Sequence, residues 1–227
     1  MTVLTECETR LMAMYRQLTE NPQVKIFSAK PGQIIDEYGD AREVFEKISE
    51  WRGINLDPSL QRCFVRFSWF SCHWRIERAE GQLTGEFTIR HLLTSTNVEA
   101  PDIDWGDTPA ERQLYSDLRV IDHRPGSGTG AFAALRMNPD MPNPEVWFHD
   151  FRIGAFKMDI DYCDYLAALA ITKGTSGWHY LFCDVSLRGR EFRHIASRLE
   201  DMLTVFSEMF PECDYAPLRQ RLDERLR

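Results

Sequence analysis

Apolar residues recur at helical spacing at the start of the chain, where Val3, Leu4, Cys7, Leu11, Met14, Tyr15 and Leu18 share one face and Asn21-Pro22 ends the run. Asp40 to Glu43 reads as a capping box before Val44, Phe45, Ile48 and Trp51, with Gly53 as the stop of this second helix. Asp57-Pro58 opens a third, which turns Leu60, Cys63, Phe64 and Phe67 inward. The period then changes from helical to alternating. Cys72, Trp74 and Ile76 interleave with His73, Arg75 and Glu77, and Phe87 and Ile89 with Glu86, Thr88 and Arg90, so a hairpin is expected, its connection around Glu80-Gly81 longer than two residues.

Thr108-Pro109-Ala110-Glu111 caps a short helix that leads into a strand at Leu118 to Ile121. Further strands are expected at Ala131 to Met137, Glu145 to His149 and Ala155 to Met158. Helical spacing returns with Tyr162, Tyr165, Leu166 and Leu169, closed by Lys173 and Gly174, and again with Trp178, Leu181, Phe182 and Val185. The longest stripe is Phe192, Ile195, Leu199, Met202, Leu203, Phe206 and Met209, followed by Leu218, Leu222 and Leu226. Helices, then a block of short strands, then helices predict an α+β fold with a mainly antiparallel central sheet flanked by N- and C-terminal helices. At 227 residues with 43% hydrophobic positions, the chain is expected to form one domain over 1–227, with a C-terminal helical extension over about 186–227.

Charge narrows the function classes. Thirty-five acidic residues against 27 Lys and Arg leave a net charge of -8, which opposes nucleic-acid binding and favours a basic partner. The first twenty residues carry Glu6, Glu8 and Glu20 and no long apolar run, so neither a signal peptide nor a membrane anchor is expected. The six cysteines lack C-x-x-C spacing and read as reduced, buried thiols of a cytoplasmic protein.

Candidate chemistry is sparse. Gly126-Ser127-Gly128-Thr129-Gly130-Ala131 formally fits a dinucleotide loop, but Asn138-Pro139 interrupts the segment where the required helix would run, so an inter-strand loop and no cofactor are expected. Asp122-His123 and His149-Asp150 could supply acid/base groups to a hydrolase or transferase, yet neighbours on a strand point to opposite faces and no nucleophile motif accompanies them. Cys72, His73, Cys163, His179 and Cys183 have no zinc-site spacing, and no metal is expected. Trp51, Trp69, Trp74, Trp147 and Trp178 read as core residues beside regular elements. Trp105 differs, because it lies with Glu99, Asp102, Asp104 and Asp107 in a loop segment without a cation. Those five residues are the expected partner-binding surface, with Trp105 as anchor, and the sheet face carrying Trp74 or the region round Trp178 comes next.

Leu118-Arg119-Val120-Ile121-Asp122, followed by Pro139, Pro142, Glu145-Val146-Trp147-Phe148-His149-Asp150 and Asp161-Tyr162-Cys163-Asp164-Tyr165-Leu166, resembles the SUKH superfamily. Asn55-Leu56-Asp57-Pro58-Ser59-Leu60 is similar to that family's early Leu-Pro helix entry, and the likeness covers residues 40 to 185. Ser68-Trp69-Phe70-Ser71 replaces the family's Asn-Gly-Gly, and the segment from Trp178 onward extends past its usual core. The resemblance implies an α+β fold and a non-enzymatic bacterial immunity protein that binds and neutralises a cognate toxin, often a nuclease. It carries over no catalytic residue. A hydrolase or transferase built around Asp122, His123, His149 and Asp150 stays open as the alternative.

Overall fold

Thr5 and Glu8 cap each other's backbone in a reciprocal box and start helix α1 (Glu6–Thr19), whose inner face is Cys7, Leu11, Met14 and Leu18. Glu8 is itself wholly buried. Its carboxylate takes the Arg66 backbone amide and two guanidinium nitrogens at 2.6–2.9 Å, which ties the helix to the segment before the sheet and holds the Glu8 carboxyl below its usual range despite burial. The computed structural model describes residues 3–79, 81–101 and 108–227. Asp40 caps α2 (Ala41–Arg52) and Gly53 ends it in the left-handed region at φ 68°, as the sequence predicts. The predicted third helix is a 3-10 segment, Pro58–Cys63, though Leu60, Cys63, Phe64 and Phe67 are all buried.

Seven strands follow the chain order across one antiparallel sheet: β1 (Val24–Lys30), β2 (Trp69–Arg78), β3 (Gly81–Arg90), β4 (Leu118–His123), β5 (Phe132–Arg136), β6 (Glu145–Asp150) and β7 (Gly154–Lys157). This is the α+β architecture read from the sequence. The helix layer is α1, α5 (Tyr162–Thr172) and α6 (Arg193–Met209), with α7 (Ala216–Arg225) closing on α6 and on the 3-10 segment Trp178–Phe182. α3 (Leu92–Asn97) and α4 (Pro109–Asp117) connect β3 to β4, and α4 starts on the Thr108–Glu111 capping box. The C-terminal stripe is part of the core, since Phe206 of α6 meets Trp74 at 5.9 Å and both are fully buried. No helix among the described residues is long and apolar enough to cross a membrane.

Several expectations are corrected. β1 has no counterpart in the sequence reading, because a register shift between Ile26 and Ser28 interrupts its alternation. Arg78 pairs with Gly81, so the hairpin strands run until two residues separate them. Trp51 and Trp69 are 56% and 44% exposed rather than core, and Trp74 and Trp178 lie in the core, so neither can be an outer contact. Lys173 closes α5, as read from the sequence, but does so inside the core. It adopts φ 52° beyond α5, is completely buried, and sets its ammonium 4.2 Å from the Phe210 ring centroid and 5.5 Å from that of Phe206.

The cysteines also differ from expectation. Cys63 and Cys163, 100 residues apart, form a disulfide that joins the Pro58–Cys63 segment to α5, while Cys7, Cys72, Cys183 and Cys213 are free thiols. The expected cytoplasmic location rested on reduced cysteines and loses that support at this pair.

The sheet is narrowest between β3 and β4, where Ile89 and Asp122 are the single registered pair. Beyond it the strands part, and residues 174–176 fill the gap: Gly85 bridges Thr175, and Glu86 N donates to Gly174 O at 3.0 Å.

Candidate functional site

The expected partner-binding loop is only partly described. Glu99 is exposed just past α3; Asp102, Asp104, Trp105 and Asp107 lie outside the described residues.

The four acid/base candidates fall on two faces of the sheet. Along β4 to β6 the outward row pairs His123 with Phe132 and Phe132 with His149, whereas Asp122, Ala133 and Phe148 form the row facing the helices. The imidazoles therefore turn away from the carboxylates. His149 stacks on Phe132 at 4.8 Å and meets Tyr115 of α4 edge-on at 6.2 Å, and burial lowers its pKa. His123 sits edge-on to Trp69 at 5.7 Å, and burial lowers its pKa as well. Asp150 accepts from Tyr180 OH at 2.8 Å and from Arg152 N at 2.9 Å.

Asp122 heads a buried hydrogen-bond chain. Its Oδ1 accepts from Thr88 N at 2.7 Å and its Oδ2 from Tyr165 OH at 2.8 Å. Tyr165 OH also lies 3.2 Å from His179 Nε2, and Arg124 Nη2 lies 3.2 Å from His179 Nδ1. Burial, with Arg124 adding to it, pushes His179 well below its ordinary pKa, so the ring is neutral. Arg124 can only donate, which assigns the ring proton to Nε2 and runs the chain from Arg124 through His179 and Tyr165 to Asp122. Burial pushes the Asp122 carboxyl up to about 6, against the opposing pull of Arg124 and of its two hydrogen bonds. The side-chain polar atoms of Asp122, Tyr165 and His179 are all partnered along this chain, and Arg124 enters it through Nη2 alone.

The glycine-rich loop binds an anion that the chain already supplies. Glu86, 4% exposed, accepts from Gly126 N at 2.5 Å and Ser127 N at 2.7 Å. The approach requires glycine, since a Cβ on residue 126 would stand 2.7 Å from His73 Nδ1 and 2.9 Å from Glu86 Oε1. The two loop amides that could meet an anion are thus taken by a carboxylate of the chain itself.

Two surfaces remain for binding. On the outer face of β1 and β2, Phe27 is 46% exposed and lies under Lys25 and Arg75 at 5.5 and 5.1 Å, with His73 at 4.9 Å; Trp69 lies under Arg90 at 5.5 Å. The second is a cleft of about 470 Å³ on the helix side of the 124–131 segment, lined by Arg124, Arg152, His194 and Arg198 and walled by Tyr180 and Ile153. The sequence reading places Trp69 in the core; the signal that would have turned it outward is the His73 and Arg75 alternation carried back to the start of β2. Arg124 and Arg198 carry no local signal, for only the tertiary fold brings the end of β4 to the first turns of α6. Among the described residues no three His, Cys, Asp or Glu side chains converge to hold a metal ion.

No family model, curated protein or solved structure matches the chain.

Proposed function

We propose that the chain is a non-enzymatic, immunity-type protein that binds and neutralises a cognate toxin protein, and that the outer face of β1 and β2 carries part of the contact. The observation behind this reading is the pair of exposed aromatic rings, Phe27 and Trp69, each beneath a cation on a strand of the sheet. Aromatic and arginine side chains on rigid strands are what interface hot spots are made of, since they bury a large area with little loss of freedom. The resemblance of residues 40 to 185 to the SUKH superfamily supports the same class. So does the separation of the acid/base candidates on two faces.

Local charge refines the partner. Lys25, Lys30, Arg75 and Arg90 outnumber the acids of this face although the whole chain carries -8: Glu77 pairs with Arg75 at 2.7 Å, and Glu86 is buried against the loop amides it holds. The face therefore complements a carboxylate-bearing segment of the toxin, while the 99–107 loop is left to meet a basic part of it. No nucleic acid or membrane enters this reading.

The test is binding to the product of the neighbouring reading frame, followed by surface plasmon resonance. Phe27→Ala and Trp69→Ala should each raise the dissociation rate about 30-fold, equivalent to about 2 kcal/mol. No binding by the native chain would overturn the immunity reading; native binding with both variants unchanged would remove this face from the interface.

A further inference from the structure

The cleft beside Arg124 carries an electrostatic imbalance that nothing else in the fold uses. Arg124 is 6% exposed and its guanidinium has a neutral imidazole, His179, as its hydrogen-bond partner. Arg198, half-buried on α6, and Arg152 line the same cavity, and among the described residues none of the three forms an ion pair. Two carboxylates also line it, fewer than the three guanidiniums: Asp150 holds Tyr180 OH and Arg152 N, and Glu191 is exposed at the rim beside Gly189. Burial and the neighbouring Arg124 charge together lower the pKa of Arg198, as expected of two like charges lining one cleft.

The backbone adds to this field. Helix α6, 17 residues long, begins at the cleft, and Phe192 at its N-cap position offers no side-chain acceptor to the amides of the first turn. The hydroxyls of Thr129 and Ser176 stand on the same wall, and the remaining surface includes Tyr180 and Ile153. Three guanidiniums, a helix N-terminus and hydroxyl donors fit a tetrahedral oxyanion better than a planar carboxylate, because they approach from several directions. The apolar wall fits an organic group attached to that anion.

We propose that this cleft binds a phosphate monoester, its phosphoryl group between Arg124, Arg198 and the first turn of α6 and its organic part against Tyr180 and Ile153. The site lies on the helix side of the sheet, away from Phe27 and Trp69, and stands independently of the toxin-binding proposal. A free metabolite and a phosphorylated side chain of a partner protein present the same chemistry, and the probes below separate them.

Calorimetry and thermal shift on the full chain, at constant ionic strength set with sodium chloride, provide the test. Inorganic phosphate should bind saturably, phenyl phosphate at least 10-fold more tightly, and Arg198→Ala should weaken both at least 10-fold. Arg198→Lys should recover part of the loss, whereas Arg219→Ala, on the exposed surface of α7, should behave as the native chain. A phosphoserine peptide that binds more tightly than phenyl phosphate assigns the site to a modified protein; one that binds less tightly assigns it to a small molecule. Equal responses to phosphate and chloride, or undiminished binding in Arg198→Ala, overturn the proposal; phenyl phosphate no tighter than inorganic phosphate overturns its organic half.

Discussion

Arg124 and Asp122 stand two residues apart and are joined through other side chains, His179 and Tyr165, whose hydrogen bonds of 3.2, 3.2 and 2.8 Å bridge the guanidinium to the carboxylate. A direct pair would neutralise both charges at the end of β4. The indirect chain leaves Arg124 facing the cleft and Asp122 facing the β3 backbone, so each retains its own role.

Asp122 makes the fold sensitive to pH. Its carboxyl is raised from 3.8 to about 6, so the folded state holds the proton to higher pH than the unfolded chain does. Between those values the native form binds more protons, and stability falls as pH rises, by up to about 3 kcal/mol once the pH exceeds the folded value. Asp122→Asn should therefore match the native chain at pH 4 and exceed it by about 1–3 kcal/mol at pH 7, measured by urea denaturation at both pH values. Equal differences at the two pH values would show that the carboxyl is not raised.

Glu86 should control the loop over residues 125–131. Glu86→Gln leaves one acceptor oxygen for the two amides now held, and the variant should lose about 1–3 kcal/mol. Hydrogen exchange at Gly126 and Ser127 should accelerate by about 10-fold or more, since each ~1.4 kcal/mol of lost protection is a factor of ten. Unchanged exchange would mean that the loop is held from elsewhere.

The disulfide closes a loop of 100 residues, for which chain entropy gives about 4–5 kcal/mol of stabilisation. Replacing Cys63 and Cys163 together by Ala should lower the melting temperature, and dithiothreitol should do so in the native chain but not in the double variant. Identical melting of the native chain with and without reductant would show that the pair does not stabilise the fold.

Leu199 is fully buried on α6 and Leu166 is 1% exposed on α5. Truncation of either to Ala should cost about 2–5 kcal/mol in chemical denaturation, through lost burial and the cavity left behind. A cost under ~0.5 kcal/mol would place the residue outside the packed core.

How much of this was legible in the sequence depended on whether the signal was local. The caps at Thr108, Asp40 and Gly53, the hairpin of alternating Cys72, Trp74 and Ile76, and the α6 stripe were readable because periodicity and caps act within a few residues. β1 escaped because its bulge breaks the period, and the Cys63–Cys163 pair because spacing says nothing about two residues 100 apart. Opposite orientation of Asp122 and His123 was foreseeable from strand geometry. The hold of Asp122 on the Thr88 amide was not, since it depends on where β3 ends beside β4.

That hold has a consequence for how the sheet tolerates change. Between β3 and β4 there is one registered pair, and beside it the Asp122 carboxylate takes the Thr88 amide. Elsewhere the ladder is written in main-chain atoms, which every residue but proline carries in full. At this one join a side chain takes an amide that a neighbouring strand would otherwise hold, so an exchange at Asp122 weakens the seam between the first three strands and the last four, whereas in the other ladders an exchange short of proline leaves the bonds in place.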